Sequence, residues 1–280
     1  MNNDLPLQIK NVQARYSLAW NRKAMVALDD FSLDLKAGEI FALLGPNGSG
    51  KTTTFKLILG FLKPKKGTVF IQGSPAGTQA ARSKVGYLPE NPYFPKYLTG
   101  REILETYGGL SGLSRPSLKE RLEMIIDLTQ MSSFSDKPLH TYSKGMIQRV
   151  SLGQALIHDP QLLLFDEPTT GLDPLGVDIM KEAMKKLRSL GKTILFTSHL
   201  LEQVETLADR VAILYQGKKL VEGSMDELLG QSDSATLRVI GLTEEQLSGV
   251  QAALYDYGAT SVERGSAPGS LENLFRRLTK

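Results

Sequence analysis

The chain has 280 residues, with 41% apolar and 22% charged side chains, which is typical of a soluble protein with one large α/β domain or a domain plus a small appendage. Its net charge of only +3 gives no bulk electrostatic reason to expect a nucleic-acid partner, and the absence of cysteine excludes disulfides and thiolate metal sites. The amino terminus lacks a basic-plus-apolar targeting signal, and the apolar runs are far too short to cross a bilayer, so any link to a membrane is expected to go through another protein.

The amino-terminal part of the chain predicts strands on both sides of one glycine-rich turn. Apolar and polar residues alternate up to Glu39, which favours an antiparallel sheet with one solvated face. The run Ile40–Leu44 is uniformly apolar, as in a buried parallel strand, and the glycine-rich turn and a helix follow it. Two further strands are predicted, at GTVFIQG and at KVGYLPE.

Helices are predicted to dominate residues 91–159. Thr99 with Glu102, and Ser117 with Glu120, fit the spacing of the capping boxes that open helices. The segment LKERLEMIIDLTQM has its apolar residues at helical spacing. We therefore expect a helical subdomain between two groups of strands.

Two more buried strands are predicted, at QLLLFDE and KTILFTSH, with the helical segment PLGVDIMKEAMKKLRSL between them. Strand–helix–strand at this spacing implies a right-handed crossover and hence a parallel sheet. The segment RVAILYQGKKLVEG favours a hairpin or two edge strands around Gln216–Gly217, and SMDELLG favours a short helix. We therefore expect an α/β domain over residues 1–230, with a mostly parallel sheet and an antiparallel part.

Residues 231–280 are expected to form a small, separate C-terminal region of α+β type. It contains a strand-like ATLRVIGL, a helix opened by a capping box of Thr243 and Gln246, a turn or linker GSAPGS, and a final helix LENLFRRLTK. Regulation, dimerisation and solubility are the roles left open for it.

The segment GPNGSGKT matches the phosphate-binding pattern G-x-x-x-x-G-K-[ST] in full, and it stands between an apolar strand and a helix as that pattern requires. Its glycines let the backbone curl so that several N–H groups face phosphate oxygens, and Lys51 adds a positive charge there. The Thr52 hydroxyl is placed to ligate Mg²⁺. The nucleotide-binding residues predicted here are Gly45, Pro46, Asn47, Gly48, Ser49, Gly50, Lys51, Thr52 and Thr53, of which Lys51 is also assigned to catalysis.

Two adjacent acids follow the apolar run LLLF. That run would bury a strand and deliver Asp166 to its carboxyl end, where the ligands of α/β sheets sit. Asp166 would hold Mg²⁺ there, directly or through water, and Glu167 would polarise the attacking water. Acids at strand ends also often cap the next helix, but the phosphate loop in the same chain favours the catalytic interpretation.

His199 ends the strand TILFTSH at the same predicted edge of the sheet. A lone histidine is usually structural, but this placement favours a contact with the γ-phosphate or the attacking water. We expect His199 to orient groups there rather than to act as the main base.

A second candidate anion site lies in TYSKGMIQRVSLGQAL, where Ser143 and Gly145 stand at the start of a predicted helix. Exposed N–H groups at a helix start attract an anion, and Ser143 also suits an ordinary N-cap. Both interpretations can hold, because a capped helix start is also an anion site.

The ordered set GPNGSGKT, YSKGM, LLLFDEPTTGLD and TSH resembles the ATP-binding cassette (ABC) ATPases over about residues 7–230. The resemblance implies a P-loop NTPase fold (RecA-like) with an antiparallel β subdomain and a helical subdomain. It also implies that Ser143 and Gly145 cap the γ-phosphate of ATP bound to the opposite subunit of a head-to-tail dimer, which then holds two shared sites. Asp173, in GLD, resembles the central acid of the loop between those sites.

The forms YSKGM and SLENLFRRLT resemble the branch of the family that drives two-component exporters of drugs, antibiotics and lipids. Two positions of the cap depart from the usual Leu-Ser-Gly-Gly-Gln, since Lys144 replaces a glycine and Met146 replaces the glutamine. Lys144 either adds charge near phosphate or points to solvent, and the second is the default expectation.

Glu90 is a further departure, because the family usually has a glutamine there that reaches Mg²⁺ and couples to the membrane subunit. A carboxylate still ligates Mg²⁺, but it disfavours the approach of phosphate when no metal is bound. The family also stacks adenine on an aromatic residue near the first strands. Tyr16 matches that place and is favoured, and Trp20 is its rival in a long loop.

The leading hypothesis is an ATP-binding and ATP-hydrolysing subunit of an ABC transporter, more an exporter than an importer, with ATP and Mg²⁺ as cofactors. Its expected partners are a separate transmembrane permease, which would hold it at the cytoplasmic face of the membrane, and a second ABC ATPase subunit. The segment NPYFPKYLTGRE beside Glu90 suits a docking surface for the permease or a small local core. The alternatives are a soluble ABC ATPase of DNA repair or translation and a nucleotide-binding scaffold without catalysis.

Overall fold

The computed structural model of the chain describes residues 5–16, 25–229, 243–256 and 271–279. Contacts between residues divide the chain into two compact units, Met1–Ser224 and Met225–Lys280. The second unit thus begins earlier in the chain than the boundary at residue 231 that the sequence suggests. Among the described residues, no helix is both long enough and apolar enough to span a membrane.

The strands of the first unit form two sheets. In chain order they are β1 (Leu7–Tyr16), β2 (Met25–Leu35), β3 (Ile40–Leu44), β4 (Lys66–Ile71), β5 (Ser74–Pro75), β6 (Val85–Leu88), β7 (Leu162–Phe165), β8 (Thr193–Ser198), β9 (Arg210–Tyr215) and β10 (Lys218–Ser224). Strands β2, β1, β4 and β5 form, in that order, the antiparallel sheet that the alternating amino-terminal sequence predicts. A bulge near Asn11, whose φ is +47°, interrupts the alternation within β1.

The second sheet has six strands in the order β10–β9–β3–β8–β7–β6, and all neighbours are parallel except the hairpin pair β9 and β10. The predicted parallel sheet and hairpin are thus confirmed. Every residue of β3, β7 and β8 is buried, which is the environment of uniformly apolar strands in a parallel sheet. Leu44 pairs with Ser198 and Phe165 with Phe196, so the residues that follow these three strands reach one edge of the sheet.

The helices of the first unit are α1 (Lys51–Ile58), α2 (Gln79–Arg82), α3 (Gly100–Leu110), α4 (Arg115–Leu128), α5 (Lys144–Leu156), α6 (Pro174–Ser189) and α7 (Leu201–Leu207). The capping box of Thr99 and Glu102 at α3 is confirmed, with hydrogen bonds of 2.8 and 3.1 Å. The box predicted from Ser117 and Glu120 is wrong, because Ser114 caps α4 and both residues lie inside the helix. A proline in the first turn loses no intrahelical bond, so α4 starts ahead of Pro116.

The second unit contains α8 (Met225–Leu229), α9 (Glu244–Asp256) and α10 (Leu271–Leu278). Thr243 and Gln246 form the predicted capping box at α9, with reciprocal hydrogen bonds of 2.9 and 3.3 Å. The predicted strand ATLRVIGL and linker GSAPGS lie outside the described residues.

Candidate active site

The loop of residues 45–50 joins β3 to α1 and packs closely against neighbouring backbone. A Cβ on Gly45 would lie 2.3 Å from the carbonyl oxygen of Leu214, and one on Gly50, whose φ is +118°, would lie 2.9 Å from that of Ala27. Glycine is therefore required at both positions. Gly50 is the N-cap of α1 and supplies no side-chain hydrogen bond. It therefore leaves the first-turn N–H groups of α1 available to donate to a ligand.

The Ser49 hydroxyl bears on whether this loop can bind a phosphate. Its hydroxyl is buried and has no hydrogen-bond partner in the part of the chain that the structure describes. A buried hydroxyl without a partner costs free energy, and a phosphate oxygen in the loop would supply the missing bond. The loop therefore fits the phosphates of a nucleotide.

Lys51 begins α1, and its side chain is almost fully buried. Its Nζ donates a 2.6 Å hydrogen bond to the carbonyl oxygen of Gly45 and lies 3.9 Å from Oε1 of Glu167. Burial lowers the pKa of Lys51, an effect that the charges of Glu167, Asp166 and Glu90 oppose. The lysine thus links the phosphate loop to the acids that follow β7.

Asp166 is buried at the carboxyl edge of the parallel sheet. Its Oδ1 accepts a 2.7 Å hydrogen bond from the Thr197 hydroxyl, and its N–H donates to the Leu88 carbonyl oxygen at 2.8 Å. Burial raises the pKa of Asp166; the Thr197 bond opposes this shift, while the charges of Glu167 and Glu90 reinforce it. A bound cation would relieve this crowding of negative charge.

Glu167 is held on both its side chain and its backbone. His199 Nδ1 lies 2.8 Å from Oε2, the Thr170 hydroxyl donates to the same oxygen at 3.2 Å, and the Glu167 N–H donates to Thr197 Oγ1 at 2.9 Å. The φ of Glu167 is +49°, which is uncommon for a residue with a side chain. Glu167 is buried, whereas the His199 side chain is 51% exposed, so the histidine forms the open side of the pair.

A cavity of about 250 Å³ opens beside these groups, and Asn47, Glu90, Glu167 and His199 line it. It brings together the phosphate loop, the candidate base and the predicted metal ligand Glu90. A larger groove of about 610 Å³ lies between α4 and α6, and none of the predicted site residues lines it. The smaller cavity is therefore the one that predicted site residues line.

The predicted metal ligands are Thr52, which is exposed in the first turn of α1, with Glu90 and Asp166. No group of three or more acids or histidines in the described ranges is arranged to hold a metal ion by itself. Mg²⁺ is usually bound by one or two carboxylates together with substrate phosphates and water. This donor set therefore fits Mg²⁺ once phosphate oxygens are present.

Tyr16 ends β1 beside the buried Thr53 of α1. Its hydroxyl is 3.4 Å from the Thr53 hydroxyl, and the ammonium of Lys56 lies 5.7 Å from the centre of its ring. The ring is thus next to the helix that follows the phosphate loop. The rival Trp20 lies outside the described residues, so the choice of Tyr16 stays a prediction.

Ser143 is the N-cap of α5, where its Oγ accepts a 3.3 Å hydrogen bond from the N–H of Met146. Asp173 is the N-cap of α6, with a 2.9 Å bond from the N–H of Gly176. Both residues therefore act as helix caps within their own segments. No hydrogen bond or ion pair among the described residues joins Ser143, Gly145 or Asp173 to the loop of residues 45–52.

Lys144 is exposed, as the default expectation has it. Its side chain also lies along Gly171, where an added Cβ would be 2.4 Å from Nζ. A Cβ added to Gly145 would lie 3.8 Å from Cδ2 of Leu172 in the same loop. The start of α5 thus packs against the loop that follows Glu167.

Sequence reasoning missed Thr197 and Thr170, which hold the two acids. The available signal for Thr197 was a polar residue directly after the apolar run Ile194–Phe196, within the last two residues of β8.

Comparisons with known proteins all lead to one family. Residues 28–170, just over half of the chain, match the family model described as ABC transporter. An ABC transporter ATP-binding protein of Nostoc sp. is 46% identical over 77% of this chain and 65% of its own length. The Nod factor export ATP-binding protein I of Sinorhizobium fredii is 34% identical over 99% of this chain and 86% of its own length. The chain therefore spans slightly less than two thirds of the Nostoc relative.

Solved structures of the same family match most of the chain. An ATP-binding subunit of an ABC transporter has a TM-score of 0.75 and 28% identity, covering 98% of this chain and 99% of the other. An ATP-binding cassette solved as a dimer in a post-hydrolysis state, with ADP and Pi bound, has a TM-score of 0.70 and 25% identity, covering 78% of this chain and 98% of the other.

Proposed function

Because the chain belongs to the family of ABC transporter ATP-binding proteins and has their P-loop NTPase fold, we propose that it binds and hydrolyses ATP to drive a membrane transporter. The contact of Lys51 with Glu167 and of Glu167 with His199, at the wall of one cavity, carries this proposal. A buried carboxylate held between a lysine and a histidine at a cavity is typical of a catalytic site. This contact therefore favours hydrolysis over a nucleotide-binding scaffold without catalysis.

Binding of ATP would begin at the phosphate loop. Backbone N–H groups within residues 47–53 and the ammonium of Lys51 would bind the β- and γ-phosphates, and the ring of Tyr16 would stack on adenine. Thr52, Asp166 and Glu90 would hold Mg²⁺, directly or through water. When bound, Mg²⁺ neutralises phosphate charge and polarises the γ-phosphoryl group.

Hydrolysis would use Glu167 as the base. Glu167 accepts a proton from water while the water oxygen bonds to the γ-phosphorus, and the bond to the β–γ bridging oxygen breaks to leave ADP and phosphate. His199 holds the carboxylate through Nδ1, which leaves Nε2 free to face the γ-phosphate. Lys51 offsets the negative charge on the phosphates.

A second ABC ATPase subunit would complete each site. Ser143 and Gly145 would cap the γ-phosphate held by the partner, and Asp173 would lie in the loop between the two sites. The solved relative with ADP and Pi is itself dimeric, which supports this arrangement. ATP binding would close the dimer, and product release would reopen it.

The closing and reopening of the dimer would change the conformation of a separate membrane permease. The same permease would hold the chain at the cytoplasmic face of the membrane. Two tyrosines in the predicted docking segment beside Glu90 support this, since Tyr93 is 86% and Tyr97 78% exposed. Phe94 in the same segment is buried and packs edge-on against Tyr107, so part of the segment forms a local core. The name of the Sinorhizobium relative favours export, and the reported relatives give no support to a role in DNA repair or translation.

Purification of the tagged chain from detergent-solubilised cells of its source tests this function. We expect an integral membrane protein to co-purify and the complex to hydrolyse ATP. Recovery of ribosomes or DNA, without any membrane protein, would contradict the transporter assignment and favour the soluble alternative.

Replacing Glu90 with glutamine is expected to weaken the dependence on Mg²⁺. The exposed carboxylate at the cavity wall repels phosphate until a metal is bound, and exposed charge interactions of this kind change an affinity by about two- to fivefold. Titration of ATP affinity and hydrolysis rate against Mg²⁺ concentration measures the effect. E90Q should bind ATP more tightly than the parent protein when EDTA removes the metal.

Glu105→Gln is the matched control, because Glu105 is an exposed acid on α3 and does not line the cavity. Its Mg²⁺ titration should follow that of the parent protein. Identical titrations for E90Q and the parent protein would show that Glu90 neither repels phosphate nor ligates the metal.

A further inference from the structure

Thr197 connects the two acids of the candidate site through one buried hydroxyl. The residue is 0% exposed near the end of β8. Its Oγ1 accepts the N–H of Glu167 at 2.9 Å and donates to Oδ1 of Asp166 at 2.7 Å. A directed chain of hydrogen bonds therefore runs from the backbone of the candidate base to the carboxylate of the candidate metal ligand.

The acceptor role of this hydroxyl supports an unusual backbone conformation. Glu167 has a φ of +49°, which for a residue with a side chain persists only where surrounding contacts hold it. A buried N–H also needs a partner, and Thr197 provides it from the neighbouring strand. The direction in which the Glu167 side chain leaves the backbone thus depends on Thr197.

The donor role fixes the carboxylate of Asp166. Because the hydroxyl proton is used on Oδ1, the other oxygen, Oδ2, is the one that Thr197 leaves free. Hydrogen bonds to a metal-bound carboxylate orient it, and their loss typically weakens metal affinity.

We propose that Thr197 is a positioning residue, whose hydroxyl sets the Asp166 carboxylate for Mg²⁺ and the Glu167 carboxylate for water at the same time. The proposal rests on the proposed ATP-hydrolysing function, and it assigns to the strand before His199 a role in coupling metal binding to the base. Thr129 is an equally buried threonine whose hydrogen bonding is purely local. It is also 0% exposed, but its hydroxyl donates only to the carbonyl oxygen of Ile125 on its own helix, at 2.6 Å.

The test compares three variants of the full chain. Thr197→Val keeps the shape and removes the hydroxyl, Thr197→Ser keeps the hydroxyl, and Thr129→Val removes a buried hydroxyl outside the site. Two readouts are taken: ADP affinity as a function of Mg²⁺ concentration, which requires no turnover, and kcat and KM for ATP.

For T197V we expect about a tenfold higher Mg²⁺ requirement in the ADP titration and a kcat at least about tenfold lower, with little change in ADP affinity in EDTA. T197S should stay close to the parent protein in both readouts. T129V should lower the melting temperature and leave the Mg²⁺ titration unchanged. If T197V melts below the assay temperature, Thr197→Cys, with a similar volume and a weak donor, takes its place.

The proposal is overturned if T197V retains the parent Mg²⁺ titration and kcat, or if T197S is as impaired as T197V. A parent protein that binds Mg²⁺–ADP but hydrolyses no ATP would contradict the proposed function instead. The Mg²⁺ titration of T197V would still decide whether Thr197 positions Asp166.

Discussion

Replacing Glu167 with glutamine should stop ATP hydrolysis and leave ATP binding intact. Glutamine keeps the shape of the side chain but cannot take the proton of the attacking water, and a general base contributes about 10² to 10⁴ in rate. We expect kcat to fall by a factor of about 10² or more, while the Kd for ATP changes little. With ATP bound and not consumed, the protein should run as a closed dimer in size-exclusion chromatography with light scattering.

Glu182→Gln is the matched control for this variant. Glu182 is an exposed acid on α6 whose ion pair is with Lys185, at 3.0 Å, so its loss should leave both turnover and assembly unchanged. Steady-state hydrolysis by E167Q at the parent rate would remove Glu167 from the role of base.

Replacing Lys51 with alanine should weaken nucleotide binding so far that concentrations that saturate the parent protein no longer saturate the variant. Loss of one charge-assisted hydrogen bond corresponds to about a tenfold to hundredfold loss of affinity. A second effect adds to it here, because the charge of Lys51 also offsets the negative charges of Glu167, Asp166 and Glu90. Titration with a fluorescent ATP analogue measures the affinity, and an ATPase assay should find no turnover.

Lys185→Ala provides the comparison, since Lys185 is an exposed lysine on α6. It should bind the analogue as the parent protein does. Parent-like affinity in K51A would show that the loop of residues 45–50 does not bind the phosphates in the proposed way.

Much of the fold and of the site could be predicted from the sequence because the signals were local. The full phosphate-binding pattern lies between a strand and a helix, and the strands before Asp166 and His199 end immediately before these residues. Since parallel strands align their carboxyl ends, the meeting of Glu167 with His199 follows from topology once the strands are assigned.

The features that could not be predicted depend on contacts between distant segments. The bond from Thr197 to Asp166 requires the register of β7 against β8, and the packing of Lys144 on Gly171 requires the placement of α5 against a loop from another part of the chain. The wrong cap at α4 had a local cause instead. Ser114 and Ser117 both suit a cap, and the proline between them favours the earlier start.

We propose that the γ-phosphate of ATP bound to one chain is covered by Ser143 of another, and cysteine cross-linking measures whether the two meet. The chain has no native cysteine, so Ser143→Cys in one preparation and Asn47→Cys in another would each carry a single thiol. Both would be made in the E167Q background, mixed, and treated with a short thiol cross-linker. With ATP and Mg²⁺ we predict a covalent dimer joined between positions 143 and 47, which should not form without nucleotide. If both variants bind ATP and no ATP-dependent cross-link appears, the shared site is contradicted.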